Sequence, residues 1–118
     1  MTVKTLVFFN NKGGVGKTTL TCNVVSYLNI HKLKKVLLID ADPQCNASQA
    51  LLPDDLLQDI YWEKVGDYHT LYTYLRPLEQ GDANINANLR PVMAKYNDFK
   101  TDIIPCHPNL ASPLCEFS

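Results

Sequence analysis

No apolar run in this chain is long enough to cross a bilayer. The longest uncharged stretches, such as Leu6–Phe9 and Val36–Ile39, fall far short of the roughly 20 residues a spanning helix needs. The N-terminus, MTVKTLVFFNN, has too short an apolar run for a signal peptide before polar residues intervene. The four cysteines, Cys22, Cys45, Cys106 and Cys115, contain no CxxC pair, and nothing points to a secreted disulfide framework. Reduced thiols in the cytoplasm, with no membrane association, are the expectation. Repeats and low-complexity segments are absent. A net charge of −1 leaves no basic excess that would argue for nucleic acid.

What is present is ordinary globular material. With 118 residues, 46% of them hydrophobic and 19% charged, the chain amounts to one domain at most, able to bury about two thirds of its surface. Charge is unevenly spread. Residues 1–52 hold six lysines against two aspartates, whereas residues 53–118 hold five basic against ten acidic side chains. The basic half is where a bound anion would find compensation; the acidic half reads as solvated surface.

The pattern of elements is α/β. Residues 3–9, VKTLVFF, are β-branched and aromatic and stop at two asparagines, which predicts a buried strand. Leu20, Val24, Tyr27, Leu28 and Ile30 then recur at helical spacing, predicting a helix from 17 to about 31. KVLLID at 35–40 predicts a second strand, and the resulting βαβ unit favours a parallel sheet with flanking helices. NASQALL at 46–52 begins another helix that Pro53 stops. Between 53 and 99 the signal is weak: HTLYTYLRPLEQG holds a short amphipathic helix broken or kinked at Pro77, and LRPVMAKY is a further helix candidate. TDII at 101–104, ended by Pro105, predicts a third strand, and the tail from 109 is too short to classify.

The most informative stretch is NNKGGVGKTT, residues 10–19. A strand that ends in glycines and opens a helix aims several backbone N–H groups at one spot, with the helix dipole behind them. Gly13, Gly14 and Gly16 permit positive φ and close backbone approach. Lys17 supplies a charge for the β- and γ-phosphates, and the Thr18 hydroxyl is placed to ligate Mg2+. A connecting turn with no ligand would need neither the lysine nor the threonine pair. The strict phosphate-loop pattern is broken at Asn11, where its first glycine should stand, and Lys12 is an additional lysine inside the loop.

These residues carry a family resemblance. KGGVGKTT resembles the deviant phosphate loop of the ParA/MinD ATPases, and VLLIDADPQCNAS resembles the companion motif that ends their second strand. The resemblance is close over residues 1–52 and loose from 101 onward. It implies ATP and Mg2+ as cofactors, held by Lys12, Gly13, Gly14, Val15, Gly16, Lys17, Thr18 and Thr19. It also implies that Lys12 reaches a partner's phosphates across an ATP-bound homodimer. Asp42 would orient or activate the attacking water, and Asp40 would support the Mg2+ shell near Thr18, giving Lys12, Lys17 and Asp42 as the catalytic set. Read from chemistry alone, the two aspartates stand where α/β sheets place their ligand crevice, though acids also cap strand ends and helix starts. Asn46 could approach the nucleotide or cap a helix.

The relatives with iron–sulfur clusters prompt a look at Cys106 and Cys115, but their spacing matches no ligand pattern, so both are read as buried or incidental thiols. His31, His69 and His107 are scattered, while Trp62, Tyr68, Tyr72 and Tyr74 read as core or interface. In the family a further apolar run ending in a Walker B aspartate follows, then adenine-recognition segments. Neither is found after residue 105, and Asp102 stands on the wrong side of its run. The chain thus reads as the N-terminal half of an incomplete domain of a ParA-type ATPase. The resemblance implies ATP hydrolysis in plasmid or chromosome partitioning, with nonspecific DNA and a small centromere-binding protein as partners of the complete protein. A MinD-like positioning ATPase and a non-catalytic nucleotide- or partner-binding module are the alternatives.

Overall fold

The structure, a computed structural model, describes residues 2–9, 16–64, 66–82 and 89–110. Along the chain run helix α1 (Lys17–Ile30), strand β1 (Leu37–Ile39), helix α2 (Asn46–Leu51) and helix α3 (Asp54–Gln58), which runs on as a π-helical turn over Asp59–Glu63. Helix α4 (Leu71–Glu79), a 3-10 turn at Ala94–Tyr96, strand β2 (Asp102–Ile104) and a 3-10 turn at Pro108–Leu110 complete it. The α/β class with a parallel sheet and helices is as expected.

The sheet is small. β1 and β2 pair in parallel with Leu37, Leu38 and Ile39 opposite Asp102, Ile103 and Ile104, and the ladder continues as Asp40 N–H donates to the Ile104 carbonyl at 3.0 Å. The other edge of β2 takes an antiparallel bridge from Val92, whose N–H donates to Ile103 O at 2.8 Å and whose O accepts from Ile103 N–H at 3.0 Å. LRPVMAKY is therefore a bridge followed by a 3-10 turn, not a helix: Pro91 biases the chain to extended geometry before it meets β2.

The strand expected at 3–9 is not formed. Among the described residues no ladder hydrogen bond reaches residues 2–9, and Val3, Leu6, Val7 and Phe9 are 70–84% exposed. β-Branched and aromatic residues favour a pleated, half-buried surface only where a neighbouring strand supplies one. Here β1 pairs with β2 instead.

α1 begins and ends as predicted but turns a different face inward. It buries Thr21, Cys22 and Val25 and leaves Leu20, Tyr27 and Ile30 exposed. The helix is apolar on two sides, and α2 takes the side carrying Cys22. Its far end is clasped to the sheet by Asn29 Nδ2 donating to Thr101 Oγ1 at 2.7 Å. Asn97 holds the same residue from below: its Nδ2 donates to Thr101 O at 2.8 Å, and its Oδ1 accepts from Thr101 N–H at 3.2 Å. Asp102, immediately after, accepts from Ala94 N–H at 2.7 Å and so has a structural task.

The core gathers Cys22, Leu51, Leu52, Leu57, Ile60, Tyr61, Val92 and Ile103, which ties α1, α2, α3 and β2 together. α4 keeps Pro77 within its span; Thr70 opens it, its N–H donating to Thr73 Oγ1 at 3.1 Å. Among the described residues no helix is long and apolar enough to cross a membrane.

Candidate functional site

Gly16 is left-handed, with φ 81°, and opens α1 by accepting Leu20 N–H at 2.9 Å. That backbone turn is the one position in the described part of the loop where glycine is required. Lys12, Gly13, Gly14 and Val15 lie outside the described residues, as do Asn10 and Asn11. Lys17 follows as the first residue of α1, half-buried like Thr18, while Thr19 is exposed.

The side chain of Lys17 crosses to the other motif. Its Nζ donates to Asp42 Oδ2 at 3.1 Å, with the two side chains 28% and 24% exposed. The start of α1 and the exit of β1, separate in sequence, thus meet at one ion pair. Asp42 is held in a turn: its Oδ1 accepts from Gln44 N–H at 3.0 Å, and its carbonyl accepts from Cys45 N–H at 2.8 Å. The Gln44 N–H, aided by the Lys17 ammonium, holds the Asp42 carboxyl below its ordinary value against the opposing effect of partial burial. Asp42 is accordingly an ionised acceptor at neutral pH.

Asp40 has a different setting. It is buried, and both its oxygens are engaged. Oδ1 accepts from Asp42 N–H at 3.2 Å, and Oδ2 accepts from Ser48 N–H at 2.9 Å and Ser48 Oγ–H at 2.5 Å. Burial pushes its carboxyl above the usual carboxylate range, opposed by the three donors and reinforced by the charge of Asp42. Ser48 in turn accepts from Cys106 N–H at 3.0 Å, so Asp40 fastens the turn bearing Asp42 to α2 and to the exit of β2. Sequence reading missed Ser48, because a serine eight residues from its partner matches no spacing rule.

Asn46 is not the cap of α2. Cys45 holds that position in a left-handed conformation, and Asn46 is exposed, its nearest polar partner being Gln44 Oε1 at 3.5 Å. His107 is buried among Tyr61, Trp62 and Tyr72, with ring centroids 5.3–5.8 Å away, and burial lowers its basicity. A cavity of about 440 Å³ lined by Tyr68, Tyr72, Arg76 and His107, among others, shares no residue with the Lys17–Asp42 pair.

The donor set suits a phosphate-bound divalent cation better than a protein-caged one. Among the described residues no group of three or more His, Cys, Asp or Glu could hold a metal alone. Mg2+ is characteristically bound through one or two protein oxygens together with substrate phosphates and water. A hydroxyl at Thr18, a cation at Lys17 and an ionised Asp42 beside a left-handed glycine fit that mode.

A protein-family model described as "AAA domain" matches residues 3–117. The chain is 58% identical over 48 residues to the chromosome-partitioning ATPase Soj of Treponema pallidum (strain Nichols), which covers 41% of this chain and 19% of that protein. It is 53% identical over 49 residues to the virulence plasmid ParA family protein pGP5-D of Chlamydia psittaci, covering 42% and 19%. Protein DIP2308 from Corynebacterium diphtheriae, solved by crystallography, superposes with a TM-score of 0.76 at 39% identity over 90% of this chain and 37% of its own. The matched segments thus span about a fifth of those two curated relatives.

Proposed function

The chain belongs to the AAA domain family, among the ParA-type ATPases, and from that premise we propose that residues 12–19 and Asp42 form a Mg-ATP site whose hydrolysis serves DNA partitioning. The observation that carries this reading is the Lys17–Asp42 ion pair, 3.1 Å long, which joins the two motifs. The Asp42 carboxylate accepts from Lys17 as a phosphate oxygen would. An entering phosphate takes over the ammonium, and Asp42 Oδ2 is then free to accept a hydrogen bond from a water O–H. With Gln44 N–H still on Oδ1, the carboxylate stays oriented and ionised, ready to position a water against the γ-phosphate.

Lys12 and the glycines after it complete the phosphate cradle in this reading, with Thr18 as the hydroxyl ligand to Mg2+. Asp40 stands behind, setting the turn that carries Asp42 and supporting the metal's water shell. Bound Mg2+ supplies charge neutralisation across the phosphates. The active form is an ATP-dependent homodimer in the cytoplasm, with nonspecific DNA and a small centromere-binding protein as partners of the complete protein. A second reading, a partner-binding module without turnover, is favoured by one observation: the exposed Val3, Leu6, Val7 and Phe9. Phosphate release from Mg-ATP separates the two. The ATPase reading expects release that disappears in Lys17→Ala; release unaffected by that change contradicts it, and no release alongside tight partner capture favours the module.

A further inference from the structure

Cys45 and Cys106 take no part in the proposed phosphate chemistry, yet the fold brings them together. They are 1% and 0% exposed and form the centre of a small cluster against which Leu71, Tyr72 and Leu75 pack. Each thiol also donates to a backbone carbonyl beside it, Cys45 Sγ to Pro43 O and Cys106 Sγ to His107 O, both at 3.6 Å. They come from separate parts of the fold. Cys45 closes the turn after Asp42 and caps α2, whereas Cys106 follows Pro105 at the exit of β2.

Their backbones are fixed independently. Cys45 N–H donates to Asp42 O at 2.8 Å and its carbonyl accepts from Gln49 N–H at 3.0 Å; Cys106 N–H donates to Ser48 Oγ at 3.0 Å. A second feature sets Cys45 apart. Its φ is 59° and its ψ 29°, a left-handed conformation that costs a residue with a β-carbon about 1–2 kcal/mol and glycine nothing. A sulfur stands where glycine would be the relaxed choice, and it packs in one buried cluster with the second thiol.

We propose that Cys45 and Cys106 are a covalent modification site: a buried dithiol that small-molecule disulfides such as glutathione disulfide convert to a reversible intrachain disulfide. The neighbouring Cys106 holds the Cys45 thiol below its ordinary value, whereas Cys45 and burial push Cys106 up, which makes Cys45 the attacking sulfur. Its thiolate attacks one sulfur of glutathione disulfide, forming a mixed disulfide and expelling one glutathione thiolate. Cys106, on losing its proton, attacks the Cys45 sulfur and expels the second glutathione. Two protein thiols are oxidised, one glutathione disulfide is reduced, and the two protons end on the two glutathiones. Because both sulfurs are buried, reaction proceeds through local opening of the cluster. The product ties the turn carrying Asp42 to the exit of β2. The inference stands on the cysteine geometry and does not depend on the chain being an ATPase.

The test uses the full reduced chain, equilibrated with excess glutathione disulfide in buffer and again in urea below the unfolding transition, so that opening is not limiting. Intact mass and peptide mapping follow after thiol alkylation. The expected result is loss of two hydrogens in most molecules, a Cys45–Cys106 linked peptide, full reversal by dithiothreitol, and amide exchange over residues 43–47 slowed several-fold. Cys45→Gly and Cys106→Ala should each abolish the link. Persistent glutathione adducts, a link through Cys22 or Cys115, an intermolecular link, or four alkylatable thiols under both conditions overturns the proposal.

Discussion

If the proposed ATPase reading holds, replacing Asp42 with alanine should separate binding from turnover. Asp42, paired with Lys17, would compete with phosphate for that ammonium. The pair is 3.1 Å long and each side chain is about a quarter exposed, a setting in which ion pairs contribute about 0–1 kcal/mol. Removing the carboxylate relieves the competition, so Mg-ATP should bind with unchanged affinity or up to about fivefold more tightly. Hydrolysis should move the other way. Loss of one group that acts on the transition state costs about 10²–10³ in rate, so kcat should fall by at least about 10²-fold. Displacement of a fluorescent ATP analogue gives the affinity, and a coupled phosphate assay on the same preparation gives the rate. Two results would refute the reasoning: hydrolysis at the parental rate, or binding weakened more than tenfold.

Four further expectations follow from particular contacts. Folded Asp40 has a raised carboxyl, so the unfolded chain loses that proton first. Its contribution to stability is fully present below the model-peptide value of 3.8 and is lost as pH rises through the folded value; the urea midpoints of parent and Asp40→Asn should therefore diverge with rising pH across that window, and parallel curves would contradict this. Asn29→Ala removes the 2.7 Å clasp to Thr101 and should cost about 1–2 kcal/mol in urea unfolding. Pro77 sits inside α4 without an N–H to donate, so Pro77→Ala should raise the unfolding midpoint, by up to about 3 kcal/mol in free energy. Finally, Val7→Lys with Phe9→Lys should reduce self-association in light scattering, since both positions are over 80% exposed apolar surface in the parent.

Legibility in the sequence followed local physics. α1, β1, α2 and β2 were readable because each carries its own signal: a glycine opening a helix, an apolar run ending on an acid, a proline stop. The strand at 3–9 failed because β-propensity says nothing of whether a neighbour is available to pair. The inward face of α1 failed for a related reason: with apolar residues on two sides, only the position of α2 decides which is buried. α3 went unread although Pro53 at its cap and Asp54 and Asp55 in its first turn are ordinary start signals; with only five residues, it offers no periodicity to find. At the site, Lys17 and Asp42 were legible as chemistry and the fold joined them. Ser48 and the Cys45–Cys106 pair were not, because their meaning lies in contacts across 58 residues of chain in the case of Ser48 and Cys106.

The central claim is that Lys17, at the head of α1, is the cation of a phosphate site. The most direct measurement is the equilibrium affinity for Mg-ATP of the chain and of Lys17→Ala, by displacement of a fluorescent analogue at fixed ionic strength. Removing the cation should abolish measurable binding while the urea unfolding curve barely moves, because the ion pair it breaks is partly exposed. Binding within about threefold of the parent, or about 0.7 kcal/mol, would contradict the claim.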